Sequence, residues 1–188
     1  EGKTANNFHV FAKNARLQTD IKLAELLGEL ETLEWDALLF SETRTAIGKR
    51  ILPGGHMLLG STTVTNFSGV AILLHQRHRN SFSNVQCISD RLMSIDLQCS
   101  GGVVRLVAGY APHMGYSQDE LQTFYDQLFY GLRGLKQHCV GAIVGGDFNT
   151  QLCVGLRGQV REDLLHSFVF EIANGQSEMQ NADDTWTF

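Results

Sequence analysis

Val140-Gly141-Ala142-Ile143-Val144-Gly145-Gly146-Asp147-Phe148-Asn149 reads as a short apolar strand over residues 140–144, ended by the glycine pair. The turn beyond it receives one carboxylate and one carboxamide. Two adjacent glycines permit a sharp bend and a close approach of the backbone to whatever lies there. Upstream, residues 117–137 predict a long amphipathic helix. Ser117 and Glu120 have capping-box spacing, and Leu121, Phe124, Tyr125, Leu128, Leu132 and Leu135 fall on one face.

Further back, residues 91–99 alternate Met93, Ile95, Leu97 and Cys99 with Ser94, Asp96 and Gln98, the period of a strand. Gly101-Gly102 predicts a turn into a second strand over 103–109, so the pair reads as a hairpin. Short apolar runs at 8–12, 36–40 and 69–74 predict more strands, and Pro53-Gly54-Gly55 predicts a turn. Residues 20–33 predict a helix with Leu23, Leu26, Leu27 and Leu30 on one stripe. Downstream, a shorter helix is expected over 161–173 and a strand over 184–188. The order is mixed, with antiparallel neighbours, so the residues alone point to one α/β (α+β) domain over 1–188.

The composition is consistent with this. The chain has 188 residues, 43% of them hydrophobic, with 19 Gly and only 2 Pro, enough to bury one core. No apolar run approaches the roughly 20 residues of a membrane span. The net charge of −5 argues against retention on nucleic acid by bulk charge alone. It leaves room for a local basic rim, for which His75-Gln76-Arg77-His78-Arg79, Lys13, Arg16 and Arg44 are the candidates. Cys87, Cys99, Cys139 and Cys153 lack the spacing of a zinc knuckle. They predict buried thiols in a reducing compartment, nucleus or cytoplasm. The chain opens on Glu1 and is expected to be a fragment of something longer.

Polar side chains follow four of the apolar runs. Asn14 follows the first, Glu42 the second, Tyr110 the hairpin, and Asp147 and Asn149 the last. Singly, each has an ordinary explanation: a solvated loop carboxylate, a turn-forming Asn, a packing Tyr, an Asp that caps local backbone. Jointly they predict a rim suited to a phosphodiester. Glu42, helped by the amide oxygen of Asn14, would anchor Mg²⁺, a hard cation that prefers oxygen. Asp147 would orient or activate water, and Asn149 and Tyr110 would hydrogen-bond the phosphate or that water.

These residues resemble the endonuclease/exonuclease/phosphatase superfamily. Within it they are most similar to the endonuclease domains of non-LTR (LINE-type) retrotransposons and their craniofacial-development-protein-like relatives. The resemblance runs from about Phe8 to Phe188. It is carried in order by Asn14, Ser41-Glu42-Thr43-Arg44, Gly69-Val70-Ala71-Ile72-Leu73, Arg91-Leu92 and Tyr110-Ala111-Pro112. Glu120, Phe124 and Tyr125, then Gly146-Asp147-Phe148-Asn149 and Thr185-Trp186, complete it.

The resemblance implies a four-layer αββα sandwich of two mixed sheets flanked by helices, with its C-terminal part missing from this chain. It implies Mg²⁺ (or Mn²⁺) on Glu42 with Asn14 nearby, and Tyr110, Asp147 and Asn149 around the scissile phosphate. Arg44 and Thr185 are implied substrate contacts, and the implied reaction is metal-assisted hydrolysis, with DNA as partner. A monomer is expected, and fusion to a reverse transcriptase in a longer parent is an implied arrangement. The family's later Asp and Ser-Asp-His-like segment would lie past Phe188. Neither His113 nor His166 matches that histidine, so the chain alone is expected to be poorly active or inactive. Two alternatives stay open: a phosphoesterase of the same fold acting on RNA, a phosphoinositide or a lipid head group, and a non-catalytic interaction module.

Overall fold

The computed structural model describes residues 8–17, 19–62, 65, 67–133, 135 and 139–149. The expected elements at 161–173 and 184–188, with Cys153, His166, Thr185 and Trp186, lie outside them.

Two mixed sheets stack face to face. The first has five strands. β1 (Val10–Asn14) runs parallel to β2 (Ala37–Ser41), which pairs antiparallel with β5 (Ala71–Leu74). β5 in turn pairs with β4 (Met57–Gly60), and β3 (Lys49–Ile51) forms the far edge. The second has the order β6 (Phe82–Ser89), β7 (Leu92–Cys99), β8 (Gly102–Tyr110), β9 (Gly141–Asp147), antiparallel except for the parallel β8–β9 pair.

Each central strand serves two interfaces, because successive side chains point to opposite faces. In β2, Ala37 and Leu39 face the second sheet and pack with Ile72, Met93, Ile95 and Leu106. Leu38 and Phe40 point outward, onto Leu23, Leu26 and Leu30 of helix α1 (Asp20–Leu30). That double burial explains why β2 and β5 read as continuous apolar runs rather than alternating ones. On the other side, helix α2 (Gln118–Leu132) lays Leu121, Phe124, Tyr125, Leu128 and Leu132 over Leu92 and Val107. Burial of one such leucine contributes about 1.5–3 kcal/mol. The result is the four-layer αββα sandwich.

The expected capping box is present: Ser117 Oγ accepts from Glu120 N, and Glu120 Oε2 accepts from Ser117 N. Four differences from the sequence reading have physical causes. First, β9 runs through Gly145 and Gly146 to Asp147, because these residues continue the parallel pairing with Ala108, Gly109 and Tyr110 of β8. Second, β3 and β6 had escaped the pattern because edge strands need no buried alternation: all of β3 is exposed, and β6 is broken by register shifts. Third, the polar face of β7 is exposed at Gln98 but covered at its other two positions. Ser94 and Asp96 are buried, and Arg105, the cross-strand partner of Asp96, meets its carboxylate with Nε at 2.6 Å from Oδ1 and Nη2 at 3.0 Å from Oδ2. Fourth, the described thiols are not buried: Cys87 is exposed on edge strand β6, and Cys99 and Cys139 are half-buried. Among the described residues no helix is long and apolar enough to cross a membrane.

Candidate active site

Where the sheets meet at one end, β1 lies against β9. Parallel pairing of β1 with β2 sets Asn14 opposite Ser41, one residue before Glu42. Parallel pairing of β8 with β9 sets Tyr110 opposite Asp147. The two pairs belong to different sheets, so the predicted residues do not come from one row of strands. They are joined across the sandwich by a hydrogen bond from Asn14 Nδ2 to Asp147 Oδ2, 3.2 Å.

Glu42 sits just past β2 with its backbone in the left-handed region (φ +54), as does Arg44 (φ +56). Non-glycine residues adopt this conformation at a cost of order 1–3 kcal/mol and do so most often at functional sites. The segment is held by Thr43 N donating to Gly69 O (3.0 Å) and Arg44 N to Ser68 O (2.9 Å). Glu42 is 8% exposed. Arg44 Nη2 contacts its Oε1, and Arg16 Nε lies 3.5 Å from the same atom. Burial alone would raise the Glu42 pKa. Hydrogen bonds from Arg44 and Asn14, with the charges of Arg44 and Arg16, outweigh burial and hold the carboxyl below its usual range.

Asp147 is oriented from both sides: Oδ1 accepts from Asn149 N (2.9 Å) and Oδ2 from Asn14. Asn149 has left-handed backbone (φ +48) and ties its own amide to Ala111 O at 2.7 Å. That turn is anchored from below by Phe148, whose ring meets Phe124 of α2 edge-on at 6.2 Å. Burial, with the nearby Glu42 and Asp147 charges, pushes the Tyr110 phenol pKa up. It stays protonated as a donor.

Thus Asn14, Glu42, Tyr110, Asp147 and Asn149 gather at one rim, and Arg44 joins them through Glu42. Of the basic candidates, Arg16 and Arg44 reach it. Lys13 points to the outer layer, 3.3 Å from Glu29 of α1. The expected basic rim at 75–79 lies at the opposite end of the first sheet. There Arg77 and His78 pair with Asp36, which precedes β2, at 2.8 and 2.5 Å. An antiparallel β5 carries its C-terminal end away from the rim.

The sequence pattern assigns no role to Asp90 and marks Arg91 only as the opening of a strand; both lie in the β6–β7 turn. Arg91 lies over the rings of Tyr110 (5.0 Å) and Tyr116 (4.8 Å) and donates to Tyr116 Oη at 2.8 Å. No local pattern marks a turn residue whose partners are 19 and 25 positions away.

The donor set fits a hard divalent cation. Glu42 is an ionised carboxylate with both guanidinium contacts on Oε1, and Asn14 is an amide within hydrogen-bonding reach of both carboxylates. Among the described residues no group of three His, Cys, Asp or Glu side chains is gathered. One carboxylate with water and substrate oxygens completing the shell is the usual arrangement for Mg²⁺.

The four-layer fold is similar to that of solved endonuclease/exonuclease/phosphatase proteins. No family model and no curated protein matches the sequence; the likeness is structural. The endonuclease domain of TRAS1, a telomere-specific non-LTR retrotransposon, superposes with a TM-score of 0.64 and 17% identity, over 86% of this chain and 71% of that one. The AP endonuclease LMAP from Leishmania major gives 0.63 and 12%, over 85% of this chain and 65% of its own. An endonuclease/exonuclease/phosphatase family protein from Leptotrichia buccalis gives 0.55 and 14%, over 85% and 72%.

Proposed function

We propose that the chain is a metal-dependent phosphodiester hydrolase that nicks DNA, of the type retroelements carry. The single observation behind this reading is the 3.2 Å hydrogen bond from Asn14 to Asp147, which joins the Glu42 side of the rim to the Tyr110–Asp147 side. The fold shared with the TRAS1 endonuclease domain and with an AP endonuclease supports it.

When bound, Mg²⁺ (or Mn²⁺) supplies charge neutralisation on the phosphate oxygens. Glu42, held ionised, and Asn14 are the residues that would hold it. Asp147 retains acceptor capacity after its two N–H contacts, since each carboxylate oxygen has two lone pairs; it orients the attacking water in line with the leaving group. Tyr110 donates its protonated hydroxyl to a non-bridging oxygen, and Asn149 fixes the turn that aims Asp147. Arg16 and Arg44 add positive charge beside the phosphate.

The test is nicking of supercoiled plasmid in magnesium by the wild-type chain and by Glu42→Ala and Asp147→Asn. Nicking by the wild type, lowered at least about 10²-fold in each variant, supports the reading. Absence of nicking together with clean hydrolysis of a phosphoinositide would refute DNA as substrate. Nicking untouched by Glu42→Ala would refute the metal assignment.

A further inference from the structure

We propose that Phe67, backed by Arg44, is a stacking platform for an unpaired nucleobase next to the phosphate at the Glu42–Asp147 rim. The inference rests on the DNA reading above and adds a binding subsite to it. Phe67 is 68% exposed and has left-handed backbone (φ +65), a conformation bulky side chains rarely adopt. A single exposed apolar residue needs no explanation in itself. Three further observations set Phe67 apart.

The first is its attachment. Thr65 and Ser68 both bind the Asp90 carboxylate: Ser68 Oγ donates to Oδ2 at 2.6 Å, Thr65 N donates at 3.3 Å, and Thr65 Oγ1 also donates. Ser68 N donates to Thr65 O at 2.8 Å, and Gly69 N to Asp90 O at 2.9 Å. Thr65 and Ser68 are therefore both fastened to Asp90 while the Phe67 ring stands in solvent. The second is Arg44, whose guanidinium lies 4.9 Å from the ring centroid while its Nη2 contacts Glu42. One guanidinium thus spans from the reacting centre to the platform. The third is the β6–β7 turn. Asp90 fastens the Phe67 loop, and its neighbour Arg91 lies against Tyr110 and Tyr116, with Arg91 O accepting from Tyr110 N at 2.8 Å. Platform and rim are referenced to the same two residues.

An aromatic face supported by a guanidinium suits a planar π-system. With a net charge of −5, affinity for a polyanion has to come from such local contacts rather than from bulk charge. Bases inside a duplex have both faces covered, so the ligand is an unpaired or terminal base.

The experiment is anisotropy titration of a labelled single-stranded oligonucleotide with the full chain, in calcium to suppress cleavage. Phe67→Ala is expected to weaken binding roughly tenfold, the usual loss for one stacked base, and Phe67→Trp to retain it. An abasic position scanned along the strand should find one place where the wild type loses that same factor and Phe67→Ala loses nothing more. Wild-type binding with Phe67→Ala unchanged overturns the platform alone. Absence of DNA binding by the wild type overturns the platform and the DNA reading together, while plasmid nicking reports on the latter independently.

Discussion

A Cβ on Gly146 would lie 1.9 Å from the carbonyl oxygen of Gly109, its partner across the parallel β8–β9 pair. Gly146 also has a φ of +141, so both sterics and backbone conformation demand glycine. The position matters because Asp147 follows it directly and Tyr110 follows Gly109.

Gly146→Ala is therefore expected to cost more than about 3 kcal/mol, among the large effects of single substitutions, read as a lowered midpoint in urea. Gly28 is the internal contrast. It lies on the exposed side of α1 with nothing within 4 Å of a built Cβ. There, Gly28→Ala should stabilise by about 0.5–1 kcal/mol through helix propensity.

The buried Asp96–Arg105 pair supports a second prediction. Arg105 Nη1 also donates to Gly131 O (2.9 Å) and Arg133 O (3.2 Å), closing the C-terminal end of α2 over the second sheet. Arg105→Met strands a buried carboxylate and should cost about 3–5 kcal/mol. Asp96→Leu combined with Arg105→Met should cost less than Arg105→Met alone, because no uncompensated charge remains. Equal losses in the two proteins, measured by urea unfolding, would show that the helix-end contacts rather than the charge dominate.

Stability should also depend on pH through His56 and His75, which pack with Trp35 at ring distances of 5.0 and 4.9 Å. His56 Nδ1 accepts from Gln76 N and His75 Nδ1 from Arg77 N, roles open only to neutral rings. Burial lowers both pKa values. Arg77, His56 and His78 lower that of His75 further, against a weaker opposing effect of Asp36. Below the ordinary histidine value of 6.5, the unfolded chain binds protons that the folded chain refuses. The contribution is thus complete above that pH and is lost as pH falls below it. Asp36, Asp96 and Glu42, whose folded pKa values are lowered, give a second loss below about pH 4. Thermal melts from pH 8 down to about pH 2 should show both falls, the carboxylate fall lying below about pH 4, and His56→Phe with His75→Phe should flatten only the first.

At the rim, magnesium should raise the melting temperature of the wild type by binding the folded state, and Glu42→Gln should abolish most of that rise. Tyr110→Phe should leave the magnesium shift intact while lowering nicking by about 10²–10³, the usual cost of one lost donor to developing charge. Because the Tyr110 pKa is raised, any alkaline fall in the wild-type rate from its ionisation should have its midpoint above the ordinary phenol value of 10.0. An identical magnesium shift in Glu42→Gln would remove Glu42 from the metal site.

What the sequence determined by itself was local. The stripe Leu23, Leu26, Leu30 and the capping box of Ser117 and Glu120 predicted the two helices, because each is written within a few turns of chain. The alternation of Met93, Ile95 and Leu97 predicted β7 but not what its other face met. Asp96 is marked in the sequence only as a polar member of that alternation, and the register sets it beside Arg105. The rim residues were legible as polar side chains beyond apolar runs, and their membership of two different sheets was not. Only parallel pairing of β1 with β2 and of β8 with β9, and the packing of β1 on β9, brings Asn14 to Asp147 across 133 positions. The same holds for Phe67, Asp90 and Arg91, whose roles depend on contacts 22 to 25 residues distant or on backbone conformation. Local interactions recur at fixed spacing and can be read from the chain; the meeting of two sheets is set by how their buried faces pack, which tertiary structure alone decides.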